Sequence, residues 1–379
     1  MIIKNGNIHD AVHRDAYLGD IALRDGKIAA IGTDLQPLPG EEIYDATGLQ
    51  VFPGLVEAHC HLGLHNHGVG NEGHDFNENS DPTGAHMRAI DSIYPQDAYI
   101  KKALHAGITT ICCGPGSGNV ITGSFAAIKT YGSCVDDMIL REPVAIKVAF
   151  GQNPKNANKK LNTRMGIAAS LRETLFAAKD YMAKKEAAGD DASKAPKYDL
   201  KMEALIPVLK KQIPLKAHAH RADDICTAMR IAKEFDLKLT LEHVTDGRAI
   251  VKELARGGYP VALGPTLYPT TKNETLNLSF ETAAVLQKAG LKVSIITDAP
   301  CVPEEYLAVC AGLCVREGMD HFAALQGITI TAAEHVGVAD RVGSLEVGKD
   351  ADIVIANGDI MSNFTKVISV FVDGNKVVG

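Results

Sequence analysis

Apolar and polar positions alternate at the two ends of this chain and run in longer blocks through its middle. Residues 1–52 contain "IIKNGNI", "GDIALRDGKIAAIG" and "EEIYDATGLQVF", short alternating runs separated by turn formers. Period-two alternation buries one face of a strand and wets the other, and Asn-Gly and Asp-Gly favour tight hairpin turns. The same pattern returns in "GSLEVGKDADIVIANG" and "KVISVFVDGNKVVG". Between these ends, short apolar runs take turns with amphipathic stretches that predict helices: "SFAAIKTYG", "TRMGIAASLRETLFAAKDYMAKKEAA", "DDICTAMRIAKEF" and "RAIVKELARGG". Strand and helix alternating across residues 53–342 predict an α/β fold with a parallel sheet, closed at this length into a (β/α)8 barrel. The strand-rich ends, 1–52 and 343–379, would then pair into one small composite β-sandwich domain. The polar segment "KKEAAGDDASKAPK" (184–197) reads as a solvated insertion.

Composition adds bounds rather than detail. A chain of 379 residues exceeds what one core usually supports, which agrees with a large domain plus a small one. A net charge of −7 offers no electrostatic reason to expect nucleic acid or an acidic membrane as partner. No run approaches the roughly 18 apolar residues of a membrane span. The opening "MIIKNGNIHD" turns polar within four residues and lacks a signal peptide's apolar core, so a cytoplasmic location is expected. The eight cysteines show no CxxC spacing and sit mostly in apolar runs, as in "ITTICCG" and "LAVCAGLCV". They read as free thiols in a reducing compartment.

Candidate chemistry begins with "PGLVEAHCHLGLHNHGVG" (53–70), where four of the chain's 14 histidines fall within nine residues. On a strand, His59 and His61 share a face and Cys60 takes the other, so two imidazoles at a strand end can chelate one cation. Gly63 ends the strand. His65 and His67 therefore fall in the next loop, either solvated or touching substrate.

Polar residues interrupt four further apolar strands. "PVAIKVAFG" (143–151) carries one charge, Lys147, among small neighbours Ala145, Ala149 and Gly151. A buried, unpaired ammonium is costly, and its pKa falls. Lys147 is then either paired with a carboxylate or present as a neutral amine that takes up CO2 to form a carbamate able to bridge two metals. "PLKAHAHRADD" repeats the HxH pattern with His218 and His220. "LKLTLEHVTDG" ends in His243, expected in phase with Leu239 and Leu241, and "LKVSIITDAP" ends in Asp298, in phase with Ser294 and Ile296. Barrel ligands belong at the C-terminal strand ends, and His, Lys and Asp donors together suit a borderline divalent ion such as Zn2+. "CCGPGSGNVITG" (112–123) lacks the spacing of a phosphate cradle and reads as a flexible βα loop, with Asn119 a candidate substrate contact. In the long polar loop 66–97, Arg88 is either a surface ion-pair partner or a bidentate clamp for a substrate carboxylate.

These residues resemble the amidohydrolase superfamily. "PGLVEAHCHLG", "AHAHRADD", "LEHVTDG", "ITDAP" and "DRVGSLEVGKDADIVI" follow its segments in order over nearly the whole chain, and "HAHRADDI" with "IKVAFGQNP" resembles its imidazolonepropionase-like and prolidase-like branch. The resemblance implies His59, His61, Lys147, His218, His243 and Asp298 as ligands of one or two divalent metals, with Lys147 carbamylated and Asp298 the proton carrier. It favours His218 over His220 as the fifth-strand ligand, leaving His220 to contact substrate or support the ligands. It also implies hydrolysis of a C–N bond in a small molecule (an amide, cyclic amide or dipeptide-like compound) by a metal-bridging hydroxide. A one-metal deaminase of a small heterocycle is the alternative and an inactive scaffold a third reading. His65, His67, His74 and His220 would be spare donors at the barrel mouth. Homo-oligomers are common among such barrels.

Overall fold

The computed structural model describes residues 1–66, 70–157 and 161–379. The alternating ends build one sheet. It contains β1 (Ile2–Ile8), β2 (Tyr17–Arg24), β3 (Lys27–Gly32), β4 (Ile43–Asp45) and β5 (Gln50–Pro53) from the beginning of the chain. The barrel strands follow: β6 (Leu55–Cys60), β7 (Ile108–Cys113), β8 (Ile121–Lys129), β9 (Ile139–Ala149), β10 (Leu215–Ala219), β11 (Leu239–His243), β12 (Val261–Leu263) and β13 (Val293–Ile295). The chain then returns to the first sheet with β14 (Ile353–Ala356), β15 (Val367–Val372) and β16 (Asn375–Val378). The first sheet runs β16-β15-β14-β5-β1-β2-β3, with β4 also beside β1. β5 joins the two ends, pairing parallel with β1 and antiparallel with β14. Ile3, Ile8, Ile21, Leu23, Val51, Ile353 and Phe371 form its core. Asp25-Gly26 and Asp373-Gly374 turn the hairpins with positive φ at both positions, as their sequence predicts. Asn5-Gly6 does not turn the chain. It forms a bulge inside β1, where a Cβ on Gly6 would fall 2.5 Å from Val51 Cγ2.

The second sheet is a nearly closed barrel in the order β6 to β13. Its two end strands meet through a side chain: the Thr297 N–H and hydroxyl both donate to buried Glu57 Oε2 at 2.8 Å, and the His61 N–H donates to the Ala299 carbonyl at 2.8 Å. One strand departs from the expected parallel pattern. β8 runs antiparallel to both β7 and β9. The "SFAAIKTYG" stretch expected as a helix lies mostly within this strand, and the Gly-rich segment expected as a βα loop is a β7–β8 hairpin loop. Only residues 114–120 separate these strands, whereas a parallel crossover needs about a dozen residues or more.

Outward-facing Ile146, Val148, Leu215, Ala217, Leu239 and Leu241 pack with helical Ile167, Leu171, Leu175, Ile225 and Ala228. Val56, Ala58, Phe125, Ala145, Ala262 and Ile296 form an inner cluster with Ala332 and Val336. The 184–197 segment ends the helix Arg164–Ala188 and continues through exposed turns. Lys129, at the end of β8, binds Asp352 and Asp350 at 2.7 and 2.9 Å and so ties the barrel to the returning C-terminal segment.

Candidate active site

The C-terminal strand ends carry two groups of ligand-forming atoms. His59, His61 and Asp298 form one; His218, His220 and His243 form the other. Within each group the donor atoms lie within 4.8 Å of one another. The imidazoles interlock across the groups, with ring centroids of His59 and His243 5.1 Å apart and of His218 and His243 4.3 Å apart. Alternation alone does not deliver His243. Leu239 and Leu241 face the helical layer and Glu242 faces inward, so the expected phase was wrong. His243 reaches the mouth because its backbone turns at φ +77°, and Asp298 turns at φ +52° beyond the end of β13. Such conformations are strained for residues other than glycine and accumulate at functional sites.

Hydrogen bonds fix how these rings present themselves. His61 Nδ1 lies 2.7 Å from the Gly114 carbonyl and His243 Nδ1 lies 2.7 Å from the Gly264 carbonyl. His59 Nδ1 lies 3.0 Å from Glu242 Oε2. Each partner can only accept, so each Nδ1 carries the proton and each Nε2 offers a lone pair. His61 Nε2 then faces Asp298 Oδ1 at 3.2 Å, acceptor against acceptor. Asp298 Oδ1, His218 Nε2 and His243 Nε2 are buried without a hydrogen-bond partner among the described residues. Burial holds His59, His218 and His243 well below the usual imidazole range, so they are neutral. Burial, reinforced by the charge of Lys272, lowers His220 to about 3. Converging lone pairs beside a carboxylate are costly unless a cation lies among them, and the donor set fits a divalent ion with oriented imidazole ligands.

Lys147 sits at the junction, its Nζ 2.8 Å from His59 Nε2 and 5.2 Å from the centre of the Phe125 ring. No carboxylate among the described residues lies within ion-pair distance of it. Burial lowers its pKa to about 7, although Asp298 and Glu242 pull the other way. A substantial fraction is therefore neutral amine near neutral pH.

The buried carboxylate that could have paired with Lys147 pairs elsewhere. Glu242 binds Lys216 Nζ at 3.0 Å, His335 Nε2 at 2.9 Å and His59 Nδ1. Burial pulls Glu242 upward, but Lys216 and His335 more than offset this and hold it well below the usual carboxylate range. Lys216 shares the phase of His218, so its inward position was legible in "PLKAHAH"; that of Glu242 was hidden by the break at His243. Glu242→Gln would strand the Lys216 charge and loosen His59. We expect a loss of about 3–5 kcal/mol in denaturant unfolding and a 10- to 100-fold weaker metal affinity by titration.

A cavity of about 610 Å³ opens at this mouth, lined by His61, His65, His218, Asp298, Tyr268 and Lys272 among others. His65 packs at a tilt against His74, ring centroids 4.2 Å apart. His220 Nδ1 meets Thr245 Oγ1 at 2.8 Å, and its ring stacks on His243, so geometry leaves both His218 and His220 within reach of an ion. His67 lies outside the described residues. Asn119 does not line the cavity; it is buried, and its amide nitrogen donates to the Glu78 carbonyl, which ties loop 66–97 to the hairpin loop. Arg88 does not line it either. Its guanidinium forks onto Glu142 at 3.1 and 3.2 Å on the surface, the ion-pair alternative of the two read from the sequence. Arg88→Ala should accordingly change kcat/KM by less than about threefold and stability by less than about 1 kcal/mol, measured by kinetics and thermal melting. Gly116, Ser117 and Gly118 of the hairpin loop do line the cavity, as do Tyr268 and Lys272, which the sequence reading missed.

All eight cysteines are free, and no helix among the described residues is long and apolar enough to cross a membrane. Residues 50–377 match the amidohydrolase family. A crystal structure of an amidohydrolase from Thermotoga maritima MSB8 superposes with a TM-score of 0.96 at 39% identity, covering 99% of each chain. The amidohydrolase tasK of Hapsidospora irregularis is 26% identical over 390 residues, covering 94% of this chain but 40% of that protein. The chain thus spans less than half the length of that curated relative. A Xaa-Pro dipeptidase solved with methionine in its active site shares the fold at 18% identity, with a TM-score of 0.60 over 100% of this chain and 99% of that one. With a family match across most of its length and a near-superimposable relative, the chain belongs to the amidohydrolase family.

Proposed function

We propose that this chain is a metal-dependent hydrolase of a carbon–nitrogen bond in a small molecule, an amide, cyclic amide or dipeptide-like compound. One observation carries the reading: two groups of three ligand atoms face each other at the barrel mouth, with buried lone pairs that no donor among the described residues satisfies. Divalent ions of the zinc type held there supply Lewis acidity, which makes water nucleophilic at neutral pH. His59, His61, His218, His243 and Asp298 would hold them. Lys147 would join the ligands as a carbamate, formed when its neutral amine attacks CO2, makes an N–C bond and sheds a proton.

Asp298 Oδ1 takes a proton from the attacking water and passes it to the departing nitrogen, which is otherwise a poor leaving group. His65, which lines the cavity, and His220 beside the ligand histidines would donate to the developing charge of a substrate carbonyl. A one-metal deaminase is the second reading. It holds if Lys147 stays an amine hydrogen-bonded to His59 Nε2, the contact the structure shows.

Metal analysis of the purified full chain, followed by a screen of N-acyl amino acids, dipeptides and cyclic amides, tests the proposal. Two divalent ions per chain and turnover of at least one C–N substrate are expected. A metal-free protein that hydrolyses nothing in that library would refute it, and one ion with release of ammonia would establish the deaminase instead.

A further inference from the structure

Among the described residues, Lys272 is the one cation lining the cavity at the barrel mouth, and it makes no ion pair. Buried Lys216 is paired with Glu242, and Arg164 binds Asp224 at 2.9 Å. Lys272 lines the cavity, half-buried, yet among the described residues no carboxylate oxygen lies within 4.0 Å of its Nζ. Glu274, two residues on, feels the Lys272 charge only from beyond ion-pair distance, and its Oε2 accepts from the Gln152 N–H at 2.8 Å.

The backbone beneath Lys272 is fixed. Its carbonyl accepts from the Thr275 N–H and hydroxyl at 3.0 and 2.9 Å, and its N–H donates to Thr275 Oγ1 at 3.2 Å. The ammonium stands on the His218 and His220 side of the mouth, where its charge depresses both imidazoles. Tyr268, from the same loop after β12, also lines the cavity. A half-buried ammonium that faces a ligand cavity with no carboxylate in ion-pair contact costs free energy, which an arriving anion offsets.

We infer that Lys272, with Tyr268 beside it, is the subsite for a substrate carboxylate. The preferred substrate is then an amide that bears a carboxylate close to the scissile nitrogen, as in an N-acyl amino acid. This rests on the proposed hydrolysis for its kinetic form, but the anion subsite can be tested without turnover.

The experiment compares N-acetyl amino acids with neutral analogues in which a methyl group replaces the carboxylate, on metal-loaded full-length protein. The wild type should favour the acid, and Lys272→Met should cut that preference in kcat/KM roughly 10- to 100-fold through KM, while Lys272→Arg restores most of it. Calorimetric binding of N-acetylvaline to Asp298→Asn, with and without Lys272→Met, should show the same ratio in Kd. An acid-to-neutral preference that Lys272→Met does not move, or N-acetylvaline binding that ignores the substitution, would overturn the inference even in an active hydrolase. Discrimination in binding with no turnover of any amide would uphold the subsite and refute the hydrolytic reading alone.

Discussion

Asp298→Asn is expected to lower kcat by about 10²- to 10⁴-fold, the range over which a positioned proton carrier contributes, while leaving the fold intact. The choice of asparagine isolates the charge. Position 298 has φ +52°, a conformation that asparagine tolerates better than most residues. The neighbouring backbone is independently held, with the Ala299 carbonyl accepting from the His61 N–H and the Cys301 N–H donating to the Asp298 carbonyl. The amide can still offer an oxygen to an ion, but it cannot take up and return a proton. Thermal melting should therefore move little and metal content should fall by at most one ion per chain. A variant that retains more than a tenth of wild-type kcat at full metal content would remove Asp298 from the proton path.

The second large effect is expected at Lys147. Lys147→Ala should reduce the bound metal from two ions per chain to one and lower kcat/KM by at least about 100-fold. Short carboxylic acids at millimolar concentration should restore part of both losses, because they can occupy the space vacated by the carbamate. The surroundings of Lys147 would permit that modification: no described carboxylate pairs with its Nζ, and burial lowers its pKa to about 7. A structural ion pair would have kept the group charged and unreactive towards CO2. If wild-type protein is fully active with one ion, and the alanine variant neither loses metal nor responds to added acid, Lys147 is an interior amine and the one-metal reading stands.

Much of the site was legible before any coordinates. Two HxH pairs, a lone lysine in an apolar strand and an aspartate closing another are rare interruptions in segments otherwise bound for a core, and burial makes each of them conspicuous. The errors cluster where alternation stops being a guide. Period two put His243 on the same face as Leu239 and Leu241, but the positive φ at its own position reverses that, and Glu242 takes the inward place. The helix expected in "SFAAIKTYG" failed because apolar residues at helical spacing also fit a strand buried on both faces, and only the short 114–120 connection discriminates between them.

By itself, the sequence determined the α/β class, the pairing of the chain's two ends, and the identities of the side chains able to hold a metal, because hydrophobic period and residue chemistry are local properties. The tertiary structure alone decided the tautomers, through carbonyls at Gly114 and Gly264 and a carboxylate at Glu242 that lie far from their histidines along the chain. It also diverted Arg88 to Glu142 and left Lys272 facing the cavity. Which charges find partners depends on distances through space, and no periodicity along the chain encodes those.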